Sequence, residues 1–203
     1  NCIAVAPGAN YSLLPGSIIH FSKVIDEADI IVMQAEIPYE TIKRIALLAK
    51  QKGKKVLFNP APACLIDEEL MKAIDILVVN ELEAAFISGI EYTGNNLEEI
   101  ALSLLQAGAR NAVITLGSQG VYMKNDKEII QLPGYKVNAI DTIAAGDTFC
   151  GALAVICAQR EIDRDALSFA NAAAAIAVTR SGAQPSIPTL TEVNAFIHPQ
   201  INF

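Results

Sequence analysis

Residues 141–149 read DTIAAGDTF, with two aspartates, Asp141 and Asp147, on either side of three small residues, Ala144, Ala145 and Gly146. The apolar segment FCGALAVICA follows at once. Small residues at the start of a helix leave backbone N–H groups uncovered, and the helix dipole adds positive potential there. Such a turn can hold an anion. In phosphoryl transfer the developing negative charge needs that kind of donor array, while a nearby carboxylate takes the proton from the attacking hydroxyl. Asp147 lies just inside the turn, where a base would stand. An aspartate at a helix N-terminus is equally an ordinary cap for free N–H groups, and the A-A-G-D order alone leaves both readings open.

The elements that must position these residues follow from periodicity. From Asp29 onward, short apolar runs alternate with helical patterns. DIIVMQ precedes YETIKRIALLAKQKG, in which Ile42, Ile45, Ala46 and Ala49 share a helical face and Gly53 suits a C-terminal stop. KVLFNP, a helix-like DEELMKAI and DILVVN come next, and EEIALSLLQAG then leads into NAVITLG. This rhythm predicts an α/β fold, a mainly parallel sheet flanked by helices. After Gly117, the runs GVYMKN, EIIQLP and YKVNAI are broken by Asn125-Asp126 and Pro133-Gly134, which predicts antiparallel strands at the sheet edge. Ala145 to Val178 predicts two Ala-rich helices divided near REIDRD. Without an internal repeat or low-complexity linker, residues 1–203 read as a single α/β domain.

In open α/β sheets ligands bind beyond the carboxyl ends of the strands. That rule selects QAEIP, NPAPA, NELEA and TLGSQG, each following an apolar strand, as loops converging on one rim with the A-A-G-D turn. Other phosphate-handling folds are disfavoured, because neither G-x-x-x-x-G-K-[ST] nor G-x-G-x-x-G occurs. His20 and His198 belong to no motif and read as surface residues, against a His-based triad or metal cluster.

Composition narrows the partners. A chain that is 52% hydrophobic and 18% charged is an ordered globular protein. Its net charge of −7, with 15 Lys and Arg against 22 Asp and Glu, offers no stripe to follow a nucleic-acid backbone. Apolar runs such as ADIIVM and AAAAIAV are too short to span a membrane. Cys2, Cys64, Cys150 and Cys157 form no C-x-x-C pair, so a zinc site or disulfide framework is not suggested, and a reducing cytoplasm is the expected home. Cys150 reads as a small apolar packing residue.

DTIAAGDTFCGAL, together with VAPGAN, NPAPA, NELEA, ITLGSQGVY and AAAAIAVTRSGAQPSIP, resembles the ribokinase-like, phosphofructokinase-B-type carbohydrate kinases nearly end to end. The resemblance implies that Asp147 deprotonates a sugar's primary hydroxyl and that the amides of Ala144, Ala145 and Gly146 form the anion hole. It implies sugar contact for Glu36, and metal and phosphate contacts for Asn80 and Glu83, with Mg²⁺ as the ion. Thr115, Leu116, Gly117, Ser118, Gln119 and Gly120 become the ATP-contacting loop, with Asn171 near the adenine. A K⁺ site is implied at Asp141, Ile143, Ala177, Arg180, Gly182 and Ser186, largely through backbone carbonyls. On the residues alone, Glu36 can be an exposed strand-end acid, Asn80 and Glu83 an N-cap and a first-turn acid, NPAPA a rigid loop, and Arg180 structural.

Within the family the likeness is strongest to members that phosphorylate the 5-hydroxyl of D-ribose; deoxyribose, fructose, or an inert nucleotide-binding fragment are the alternatives. The chain departs from the family at its beginning. NCIAVAP reads as a strand already under way, and the family's first strands, its β-sheet lid over the sugar and the Gly-Gly and Asp residues that grip the sugar are not in these residues. The expectation is therefore a kinase domain incomplete at its N-terminus, forming a homodimer if the lid is present.

Overall fold

The computed structural model describes residues 6–198, and the strand expected in NCIAVAP falls almost wholly outside that range. Short 3-10 turns at Gly8–Ser12 and Pro15–Phe21 lead into α1, Ser22–Glu27. Then comes the predicted alternation: β1 Ile30–Gln34, α2 Tyr39–Gln51, β2 Lys55–Asn59, α3 Glu68–Met71, β3 Ile76–Asn80, α4 Glu81–Ser88, α5 Leu97–Gln106 and β4 Asn111–Thr115. β5 Val121–Asn125 and β6 Ile129–Leu132 follow, then α6 Ala145–Cys157, α7 Arg164–Ala177 and α8 Leu190–Ile197.

The six strands lie in chain order, β1 to β4 parallel and β5 and β6 antiparallel at the edge. Alternation along each strand divides the core in two. Val56, Phe58, Leu77, Val79, Ala112 and Ile114 face Ile42, Ala46, Leu70, Ile100 and Leu104 of the connecting helices. Leu57, Ile76, Val78 and Val113 face Phe149, Leu153, Leu167 and Ala170 of α6 and α7. The inner strands β2 to β4 are thus buried on both faces, as their near-continuous apolar runs require. In α2, Ile42, Ala46 and Ala49 are buried with Ile45 packed beside them, and Gly53 ends the helix at φ +67°.

Three expectations are corrected. DEELMKAI is helical only over its first turn; Asp67 caps it by accepting from Leu70 N–H at 2.9 Å. It stops because the N–H groups of Ala73 and Ile74 turn back onto Leu70 and Met71, and Asp75 N–H then bonds Val56 to start β3. YKVNAI is not a strand. Its apolar residues have other partners: Tyr135 packs on Phe196 of α8 with centroids 5.0 Å apart, its hydroxyl meets Ser168 at 3.1 Å, and Ile140 N–H bonds Val178. Finally, α1, α4 and α8, which the alternation did not predict, are helical. Two of them show capping boxes, Asn80 with Glu83 and Thr189 with Glu192.

Candidate active site

Each parallel strand ends on a hydrogen-bonding side chain: Gln34, Asn59, Asn80 and Thr115. The register sets Gln34 opposite Asn59 and Asn80 opposite Thr115, with Asn59 level with Val78, so these groups form a staggered row along the sheet's carboxyl edge. Above the row opens a cleft of about 490 Å³ lined by all four, with Glu36, Glu81, Glu83 and the first turn of α6. The charged side chains in that lining are four carboxylates, Glu36, Glu81, Glu83 and Asp147, with no Lys, Arg or His among the described residues.

The first turn of α6 has an unusual entry. Ala144 takes φ +58°, the one positive value outside glycine among the described residues, and it precedes a helix start with no side-chain cap. A non-glycine residue there is strained, and an uncapped start leaves first-turn N–H groups for a ligand. Ala145 N–H reaches only Thr142 O, at 3.3 Å. Asp147 does not cap; its exposed carboxylate instead accepts from Gln34 Nε2 at 2.5 Å. Three residues on, burial and then the Asp147 charge push the Cys150 thiol up to about 12, so it packs as a neutral group.

Asn80 and Glu83 are engaged with each other. Asn80 Oδ1 accepts from the N–H groups of Leu82 and Glu83 at 2.9 and 2.8 Å, and Glu83 Oε2 accepts from Asn80 N–H at 2.9 Å. The capping reading of this pair is therefore present in the hydrogen bonds. Burial raises the Glu83 carboxyl above its ordinary value, against the lowering effect of the Asn80 N–H.

A second cleft, about 530 Å³, lies behind the first and shares Thr115, Gly117, Thr142, Ala145 and Gly146 with it. Its walls are largely apolar: Val137, Ala139, Phe149, Ala174, Ala175 and Val178. Of the TLGSQG loop, Thr115, Gly117, Ser118 and Gly120 line it, whereas Leu116 is buried in the core and Gln119 lies outside the lining. Leu116 N–H bonds Gly120 O at 2.8 Å and closes the loop. Buried Asn171 also lines the cleft, with its Nδ2 donating to Pro133 O at 3.0 Å.

The residues singled out as cation ligands come from two segments that meet. Asp141 Oδ1 accepts from Ile143 N–H at 3.0 Å and Oδ2 from Gly182 N–H at 3.1 Å. These amides, Ile143 first, hold the Asp141 carboxyl below its ordinary value. Ala177 and Ser186 are buried nearby in sequence, Ser186 Oγ donating to Ala183 O at 2.7 Å. The Arg180 guanidinium pairs with Glu192 of α8 at 2.6 Å, a structural contact. No cluster of three or more His, Cys, Asp or Glu forms a metal site among the described residues.

Two groups of lining residues escaped the sequence reading. Gln34 sits inside QAEIP, beside Glu36; its signal was a polar residue closing an apolar strand. Lys136, Val137 and Ala139 lie in the stretch read as a strand, which hid their place in the second cleft.

The fold recurs in known proteins. The profile of the pfkB family of carbohydrate kinases matches residues 2–190. The chain is 41% identical over 196 residues to a ribokinase of Staphylococcus aureus (strain COL), covering 96% of this chain and 64% of that protein. It superposes on a ribokinase of Thermotoga maritima with a TM-score of 0.86 at 41% identity, covering 97% of this chain and 65% of the other. An Arabidopsis thaliana ribokinase complexed with ribose and ATP gives a TM-score of 0.91 at 28% identity, covering 98% and 65%. The chain therefore spans just under two thirds of the length of these relatives. With the family profile matched nearly end to end, the chain belongs to the pfkB family of carbohydrate kinases.

Proposed function

We propose that the protein is an ATP-dependent ribokinase that transfers the γ-phosphoryl group of ATP to the 5-hydroxyl of D-ribose. The observation that carries this reading is the position of Asp147 in the uncapped first turn of α6, where the two clefts meet. On this reading Asp147 takes the hydroxyl proton, the freed oxygen pair attacks the γ-phosphorus, and the bond to the β–γ bridging oxygen breaks to release ADP. The amides of Ala144, Ala145 and Gly146 receive the charge that builds on the γ-oxygens. Glu36 holds sugar hydroxyls, Thr115, Gly117, Ser118 and Gly120 meet the phosphates, and Asn171 with the apolar wall of the second cleft receives the adenine. The ribokinase relatives, one carrying ribose and ATP, support the substrate pair.

Four carboxylates around the first cleft would repel a bare triphosphate. Glu83, with one oxygen tied to Asn80 N–H and the other uncommitted, fits Mg²⁺, an ion usually bound through one or two carboxylates and the substrate phosphates. Bound there, Mg²⁺ supplies neutralisation of that charge. For K⁺, one carboxylate, one hydroxyl and the carbonyls of two facing turns make an all-oxygen donor set at Asp141, Ile143, Ala177, Arg180, Gly182 and Ser186, which fits a hard monovalent ion.

The test is ADP release by the full-length protein with ATP and Mg²⁺ against D-ribose, deoxyribose and fructose. Ribose should give the highest kcat/KM. A preference for another sugar reassigns the substrate, and ATP binding without sugar-dependent ADP release defeats the enzyme reading.

A further inference from the structure

We infer that Gln34 is a positioning residue for the Asp147 carboxylate; the inference rests on the kinase reading above. The two residues are 113 positions apart, yet Gln34 Nε2 donates to Asp147 Oδ1 at 2.5 Å. Gln34 closes β1, which is paired with β2 at all five of its positions from Ile30 to Gln34. Asp147 stands in the first turn of α6, exposed and uninvolved in capping. Both side chains line the same cleft.

An exposed carboxylate on a helix turn is free to rotate, and its two oxygens are equivalent. A donor fixed to a rigid strand removes both freedoms, which is what a reacting group needs from its supporting shell. With Oδ1 held by Gln34, Oδ2 is the oxygen left to take the hydroxyl proton. The choice of an amide matters. A Lys or Arg at position 34 would orient the carboxylate too, but its charge would stabilise the ionised form and weaken the base. A Glu would add a like charge to a cleft that already holds four carboxylates.

The role separates from a merely structural one by its kinetic signature. In the full-length protein, Gln34→Met keeps the volume and removes the donor. It should lower kcat by about 10- to 100-fold, leaving KM for ATP and for sugar within about 2-fold of the parent. Gln34→Glu should be slower still. A second readout needs no turnover: in an NMR spectrum of ¹⁵N-labelled protein, the Gln34 side-chain amide signal should shift strongly in Asp147→Ala and hold its place in the control Glu40→Ala. An unchanged kcat in Gln34→Met, or a rise in sugar KM at constant kcat, overturns the inference, as does an amide signal indifferent to Asp147. A parent protein that turns over no sugar, while the amide signal still answers to Asp147, overturns the kinase reading and the catalytic purpose of the contact but not the contact.

Discussion

The carboxylate of Asp141 ties the loop entering α6 to the turn leaving α7, through Gly182 N–H at 3.1 Å. Its other oxygen accepts from Ile143 N–H inside its own loop. Because Ala144 and the first turn of α6 follow directly, whatever binds Asp141 also sets the entry to that uncapped turn. K⁺ at these oxygens should therefore raise kcat. Rates in KCl should exceed those in tetramethylammonium chloride at equal ionic strength, and Asp141→Ala should abolish the difference. K⁺ activation that survives in Asp141→Ala would remove Asp141 from the ion's ligands.

Asp147→Asn keeps the shape of the side chain and removes its capacity to take a proton. Turnover should fall by roughly 10²- to 10⁴-fold, the usual contribution of a general base. Because the apolar walls of the second cleft are untouched, the ATP dissociation constant measured by calorimetry should stay within about 2-fold. A variant with near-parent rates would mean that another group accepts the proton.

The sequence made the site's outline readable because two periodicities intersect there. Apolar runs such as ILVV and NAVI mark buried parallel strands, and the residue where each run turns polar marks the sheet's carboxyl edge. The distinction between Asp147 as cap and Asp147 as a carboxylate held from outside its helix was not readable, since it depends on Gln34 of β1, 113 positions earlier in the chain. Residues 135–140 misled for a related reason. Their alternation fits a strand locally, but the partners that decide the matter, Ser168 in α7, Val178 at its C-cap and Phe196 in α8, lie far along the chain. Tertiary packing overrode the local pattern.

Gly134 offers a test of how the second cleft is built. A Cβ placed there would stand 2.1 Å from Ser118 O, so the chain after β6 lies directly against the TLGSQG loop. Gly120, at φ +103°, faces the same backbone from the other side. Backbone cannot step aside as a flexible side chain can. Gly134→Ala should destabilise the protein by about 1–3 kcal/mol in urea unfolding and raise KM for ATP, since Ser118 and Gly120 line the cleft. Gly16→Ala, where a Cβ meets nothing within 4 Å, is the control and should leave both unchanged. Unaltered stability in Gly134→Ala would mean that the loop is not held this way.

Acid should loosen the anchor of the Gly182 turn through Glu192. Its Oε2 accepts from Thr189 N–H at 2.7 Å and Oε1 from Arg180 at 2.6 Å, and these contacts, the Thr189 amide first, pull its carboxyl from 4.5 down to about 2. A carboxyl whose value is lower in the folded state stabilises the fold in full above its unfolded value and stops doing so as pH falls through the folded one. The contribution is therefore complete above pH 4.5 and disappears between 4.5 and about 2. Glu192→Gln should lower the unfolding temperature at pH 7, with the gap to the parent closing across that window. The pair is partly exposed, so added salt should shrink the gap as well. A gap of constant size from pH 7 to 2 would assign the loss to packing rather than to charge. Since Arg180 belongs to the turn that carries Gly182 and Ser186, Glu192→Gln should also blunt the response to K⁺ at neutral pH, which links the α8 anchor to the entry of α6.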